Sequence, residues 1–255
     1  MRIRPVSPAA LALAAVIVMP CLGGCSLTDS QAWKSTRRFY YTYVNTPETL
    51  DVSDPATLPE NESRLASRLM AVDGQLTSLE QALDALGMVP DSAAVGELLR
   101  RFPWLSGLTL VDPAGAILAA EPPISLKQLD FTPLLESPPD SSPRALRAVV
   151  QDTPLGPEVL VARPLLIGGE LQALVVASFD FRSLLPYASA PGDLVVRTAD
   201  IPLWSGGEAG SLAGVDWSAE IAKRSRGVVR AESGSFVWLV RYMGGQPLVF
   251  ATPAV

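Results

Sequence analysis

The sequence predicts an α+β fold, with a long N-terminal helix followed by two antiparallel sheet units. Three observations predict it. Leu65, Leu69, Val72, Leu76, Leu79, Leu83 and Leu86 recur at spacings of four and three, which puts them on one seam of a helix. From residue 107 onward, short apolar runs alternate with glycine-containing turns, the pattern of antiparallel strands. The order strand, strand, helix, strand, strand, strand then occurs twice.

Ahead of the helix the chain opens with Arg2 and Arg4, an apolar run over 9–19, and Leu22-Gly23-Gly24-Cys25. A basic start, a short apolar stretch and small residues before a cleavage point make a secretory signal. The apolar run is too short for a hydrocarbon core of about 30 Å, so it is not a stable transmembrane anchor. Leu-Gly-Gly-Cys resembles the lipobox of bacterial lipoproteins. That resemblance implies cleavage after residue 24 and acylation of the Cys25 thiol with palmitate-class chains, a lipid anchor on the membrane. At about 0.8 kcal/mol per buried CH2, several chains on one cysteine hold a protein firmly. By the same resemblance, Ser26 after the cysteine favours the outer membrane, facing the periplasm.

Composition narrows the chemistry. Loss of Arg2 and Arg4 leaves 18 basic residues against 26 acidic ones, and an acidic surface repels phosphate backbones, so no nucleic-acid partner is expected. The sequence has no histidine. The usual general base and the commonest transition-metal ligand are therefore missing, and serine–histidine and cysteine–histidine catalysis are excluded. Cys21 leaves with the signal and Cys25 is the acylation site, so no disulfide forms within one mature chain. No phosphate loop, Gly-x-Ser-x-Gly motif or metal-ligand spacing is present, and neither cofactor nor metal is expected.

Residues 25–58 read as a tether. Trp33, Lys34, Arg37, Arg38 and Tyr40 mix cations with aromatics, suited to a headgroup zone or to packing on the folded part. Thr57-Leu58-Pro59-Glu60 has the form of a capping box, and Gly87 fits a helix stop. Gly74 interrupts the leucine seam, which favours a helix packed along its own domain over a coiled-coil dimer. A second helix is predicted over 92–101, ending at Phe102-Pro103. Runs at 107–111 and 116–119 flank Asp112-Pro113-Ala114-Gly115, a hairpin turn. A short helix is expected around 125–135, then strands at 145–151, 159–166 and 171–179, with Gly168-Gly169 as a tight turn. The second unit predicts strands at 193–198 and 201–204, a helix at 215–224, and strands at 227–231, 236–242 and 248–252. Arg163 and Arg241 each precede a Gly-Gly turn and an apolar strand ending in alanine, the closest internal match.

The hairpin Leu108 to Leu118, the strand Val175-Val176-Ala177-Ser178-Phe179-Asp180-Phe181 and the long helix look like an extracytoplasmic Cache domain. With its repeat, the chain resembles the double Cache arrangement of two PAS-like sheets along one helix. The domain division this implies is 1–24 signal peptide, 25–58 lipidated cysteine and tether, 59–190 helix plus first unit, and 191–255 second, smaller unit. The resemblance implies a pocket in the first unit, walled by the 121–143 loop, and places Asp180 where such domains set a carboxylate facing a ligand amine. Asp180 also stands where it would cap the turn 181–185. Arg163, inside an apolar strand, requires a carboxylate or anionic-ligand partner, and its repetition as Arg241 favours a structural role. Trp104 is core or pocket wall. Arg163, Asp180 and Trp104 are the candidate ligand-binding residues. The expected function is a non-catalytic sensory module that binds a small molecule and passes information to a membrane-embedded or envelope partner protein. The alternative is a structural or assembly lipoprotein that binds partner proteins.

Overall fold

A computed structural model describes residues 60–86, 89–136 and 142–254, without the side chains of 208–211. The signal, Cys25, the tether, Thr57 of the capping box and the Gly87 stop lie outside the described residues. Those described belong to one compact unit, Thr49–Val255. Among them no helix is long and apolar enough to cross a membrane.

Helix α1 spans Glu60–Asp84 and, at 1.5 Å per residue, is about 37 Å long. Its predicted seam is the buried face, with Leu65, Leu69, Val72, Leu76, Leu79 and Leu83 inside the core. It lies along its own domain. Helix α2, Ser92–Arg101, starts where the Asp91 carboxylate accepts the Ala94 N–H. Strands β1 (Gly107–Val111) and β2 (Ile117–Glu121) form the predicted hairpin. The helix expected around 125–135 is reduced to one turn, α3, Thr132–Leu135. Residues 122–130 hold Pro122 and Pro123 and make no backbone–backbone hydrogen bond among the described residues, so they run as irregular chain.

Strands β3 (Arg147–Gln151), β4 (Glu158–Ile167) and β5 (Glu170–Phe179) complete a five-stranded antiparallel sheet, ordered β2-β1-β5-β4-β3. The second sheet holds β6 (Val195–Arg197), β7 (Pro202–Ser205), β8 (Arg226–Ala231), β9 (Gly234–Met243) and β10 (Gln246–Pro253), with helix α4 (Trp217–Lys223) before β8. Its order, β7-β6-β10-β9-β8, repeats that of the first sheet strand for strand. One face of each sheet packs on α1. Val159, Val161 and Val175 of the first and Val196, Leu239 and Phe250 of the second share a single core with the helix leucines.

The outer faces differ in what covers them. In the first sheet, Val111, Leu160, Ala162, Leu174 and Val176 meet Phe131 and Leu134, which arrive from the chain between β2 and β3. In the second, Trp217 of α4 stands edge-on against Trp238, ring centroids 5.5 Å apart, and closes the face with Leu212 and Phe236. The sheets also meet directly, the Ala148 N–H of β3 donating to the Gly244 carbonyl at the β9–β10 turn.

Candidate functional site

Alternation along the strands decides which side chains face outward from the first sheet. On β5 these are Leu174, Val176 and Ser178, and Thr109 of β1 pairs with Val176. On β4 they are Glu158, Leu160 and Ala162. The face is therefore apolar in its middle and polar at the end where β4 begins and β5 stops.

The chain over 122–131 crosses that polar end. Of residues 122–130 only Lys127 and Leu129 are even half-buried, and Phe131 follows them into the core. Inward side chains at 127, 129 and 131 have the period of an extended segment, with a lysine at the first inward position. A cavity of about 350 Å3 lies between this segment and the sheet, bordered by Thr109, Ser178, Ser106, Lys127, Gln128 and Phe131 among others. A groove of about 450 Å3 runs between α2 and β1–β2, with Val95, Leu99, Leu108, Leu110 and Ala119 among its walls. Ser92, Thr109 and Glu121 are its polar lining.

The Lys127 ammonium lies 2.6 Å from Glu158 Oε2, 3.1 Å from Asp180 Oδ2 and 3.3 Å from the Pro157 carbonyl. Glu158 is 1% exposed, and its Oε1 is buried without a hydrogen-bond partner. Asp180 caps the 3-10 helix Phe181–Tyr187, accepting the Arg182 N–H at 2.9 Å, and the Arg182 guanidinium grips both of its oxygens. Burial alone would push the Asp180 carboxyl up; the hydrogen bonds from Arg182 and Lys127 outweigh it and hold it down at about 2. Two cations and two carboxylates thus form a neutral cluster, of which Lys127 borders the cavity.

Arg163 points the other way. It sits on the α1 face of β4 and pairs with Asp84 at 3.0 Å, also donating to the Arg144 carbonyl. Its repeat counterpart Arg241 reaches the same helix, 2.6 Å from Asp73 and 2.8 Å from Glu80. Both arginines therefore tie a sheet to α1. Burial pushes the Glu80 carboxyl up, with Arg241 opposing. Trp104 is buried on the α1 side, edge-on to Phe179 at 5.0 Å, and its indole N–H donates to Gln75 at 3.0 Å. Of the three residues expected at a ligand site, only Asp180 belongs to the cluster beside the cavity. None of the three borders either cavity; Asp180 reaches the first only through Lys127.

With this geometry established, solved structures supply the comparison. A domain assigned to a sensory box/GGDEF family protein from Vibrio parahaemolyticus superposes with a TM-score of 0.50 at 12% identity, covering 80% of this chain and 97% of its own. The fold is PAS-like. The ligand-binding domain of the Pseudomonas fluorescens chemoreceptor CtaA, in complex with L-isoleucine, matches at 13% identity and a TM-score of 0.46, over 87% of this chain and 94% of its own. An extracellular ligand binding receptor from Desulfohalobium retbaense matches at 14% identity and a TM-score of 0.44, over 79% of this chain; the chain spans 40% of that receptor's length. No family model and no curated relative matches the sequence.

Within the PAS-like pair of sheets, the two outer faces have diverged. Trp217 and Trp238 fill the second, whereas the first leaves a cavity beside a charged cluster. Sequence reasoning passed over Lys127 and Glu158. The available signal was a lysine between Leu126 and Leu129 with no other cation from Pro122 to Phe131, and a glutamate leading directly into the run Val159-Leu160-Val161-Ala162.

Proposed function

We propose that this protein is a membrane-anchored extracytoplasmic lipoprotein whose first sheet unit binds a small molecule and catalyses no reaction. In this reading residues 1–24 are a signal peptide, Cys25 carries the lipid, 25–58 tether the domain, and 59–190 and 191–255 are the two units. The observation that carries the reading is the cavity of about 350 Å3 between the first sheet and residues 122–131, where hydroxyl, amide and charged groups converge on an otherwise apolar wall. The PAS-like fold adds support by analogy only, since one fold serves many functions. In this reading a ligand signal passes to a membrane-embedded or envelope partner.

A second reading, an assembly lipoprotein that docks other proteins, is favoured by one feature. Ile117, Leu118, Ile124 and Leu126 are all more than half exposed, on edge strand β2 and the chain that follows it. A thermal-shift screen of the purified chain in detergent, against amino acids, carboxylates, purines and polyamines, separates the two. A ligand at one hundred times its Kd adds about 2.7 kcal/mol and raises Tm by several degrees. The binding reading expects a hit that Thr109→Phe abolishes by filling the cavity and that Arg163→Met leaves in place. A silent panel with cooperative unfolding throughout shifts the reading to partner docking.

A further inference from the structure

We propose that residues 122–131 are a strap latched over the first-unit cavity by Lys127, whose ammonium fills a cation seat between Glu158 and Asp180, and that the strap opens when another N–H cation takes that seat. This rests on the cavity being a ligand site, and it concerns how that site is closed.

Four observations support the latch. Residues 122–130 have no backbone ladder to hold them down among the described residues. Most of their side chains are exposed, Ile124 and Leu126 by 79% and 88%. At the far end the strap is pinned, the Asp130 N–H donating to Gln151 Oε1 at 2.9 Å with a return bond from the Gln151 amide to the Asp130 carbonyl, and with Phe131 in the core. At the near end it leaves β2. Between these anchors the one charged attachment is Lys127, with its three acceptors at 2.6–3.3 Å.

The seat is built to hold a cation. Glu158 is almost fully buried, and a carboxylate left there without a counter-charge is the costly arrangement. The Arg182 guanidinium is committed to both oxygens of Asp180, so it is not free to swing across and neutralise Glu158. A neutral or anionic group that displaced Lys127 would strand the Glu158 charge. A group carrying its own ammonium or guanidinium would not. Glu158 Oε1 adds a reason for exchange: it is buried and without a partner, so an entering cation with a further N–H satisfies an acceptor that Lys127 leaves unmet.

The test is limited chymotrypsin digestion of the full chain in detergent, following cleavage within 122–131 by mass spectrometry with α1 as the internal reference. Lys127→Ala, which adds no chymotrypsin site, is expected to raise cleavage after Leu129 about tenfold or more, the scale of a lost charge-assisted hydrogen bond, with cleavage in α1 unchanged. In the wild type, methylammonium chloride should accelerate strap cleavage and tetramethylammonium chloride at the same ionic strength should not, because only the first donates N–H bonds. Wild-type cleavage rates in a folded Lys127→Ala overturn the latch. Should that variant fail to fold, equal rates in the two salts overturn it. Neither arm contains a pocket ligand, so loss of the latch leaves the small-molecule reading standing, and the digestion and the ligand screen fail separately.

Discussion

Asp180 shows how one side chain serves several demands at once. It follows an apolar strand, caps the 3-10 helix after it, and balances Lys127 and Arg182. Its carboxyl stands at about 2, below its ordinary 3.8. A depressed acid contributes stability that is fully present above the ordinary value and is lost as pH falls through the folded value. Asp180→Asn should therefore be less stable than the wild type at neutral pH. Urea midpoints measured across the acid range should show that gap closing between about pH 4 and about pH 2. A gap independent of pH would place the effect in packing and not in charge.

At the scale of elements, the sheets are fastened to α1 by a repeated arginine in two settings. Arg241 is 2% exposed and satisfies two carboxylates of the helix, while Arg163 pairs with an Asp84 that is 61% exposed. Removing a buried guanidinium leaves Asp73 and Glu80 facing each other without a counter-charge, so Arg241→Met should cost about 3–5 kcal/mol in chemical denaturation. Arg163→Met breaks a pair open to water and should cost about 1 kcal/mol or less. Equal losses would contradict this account of the two attachments. The helix carries acceptors for both because Asp73, Thr77, Glu80 and Asp84 recur at spacings of four and three beside its apolar seam.

At the scale of the molecule, two copies of one strand order share a core along α1, and the β9–β10 turn is a direct contact between the sheets. Gly244 has φ 51°, and a Cβ there would stand 2.6 Å from the Arg147 carbonyl carbon and 2.8 Å from the Ala148 nitrogen. Gly168, at the equivalent turn of the first sheet, has φ 62° with nothing within 4 Å. Alanine at either site meets the left-handed backbone cost of about 1–2 kcal/mol. Gly244→Ala must in addition push two sheets apart, so it should lower stability beyond Gly168→Ala. Parallel urea titrations check it, and equal losses would mean that the hairpin contact contributes nothing.

Most of the architecture was legible in the chain alone, because it depends on local periodicity. The α1 seam, both helices of the first unit, the hairpins and the repeat follow from spacings of 3.6 and 2 and from glycine-marked turns. The helix expected around 125–135 shrank to one turn because Pro122 and Pro123 and the pinned Asp130 hold the preceding chain extended against the sheet. The site was legible only in part. Asp180 was visible from its place at a strand end, and its capping role from the turn after it. Glu158 and Lys127 are 31 residues apart in sequence, and no spacing rule links a strand end to a crossing strap. Likewise an arginine in an apolar strand announces that it needs a partner, but not that the partner is Asp84, some eighty residues earlier at the end of α1. The sequence by itself determined the elements, their order and which faces are apolar, since those are short-range properties. Only the tertiary structure decided which charges meet and where space remains, because burial and ion pairing depend on chain segments brought together across the fold.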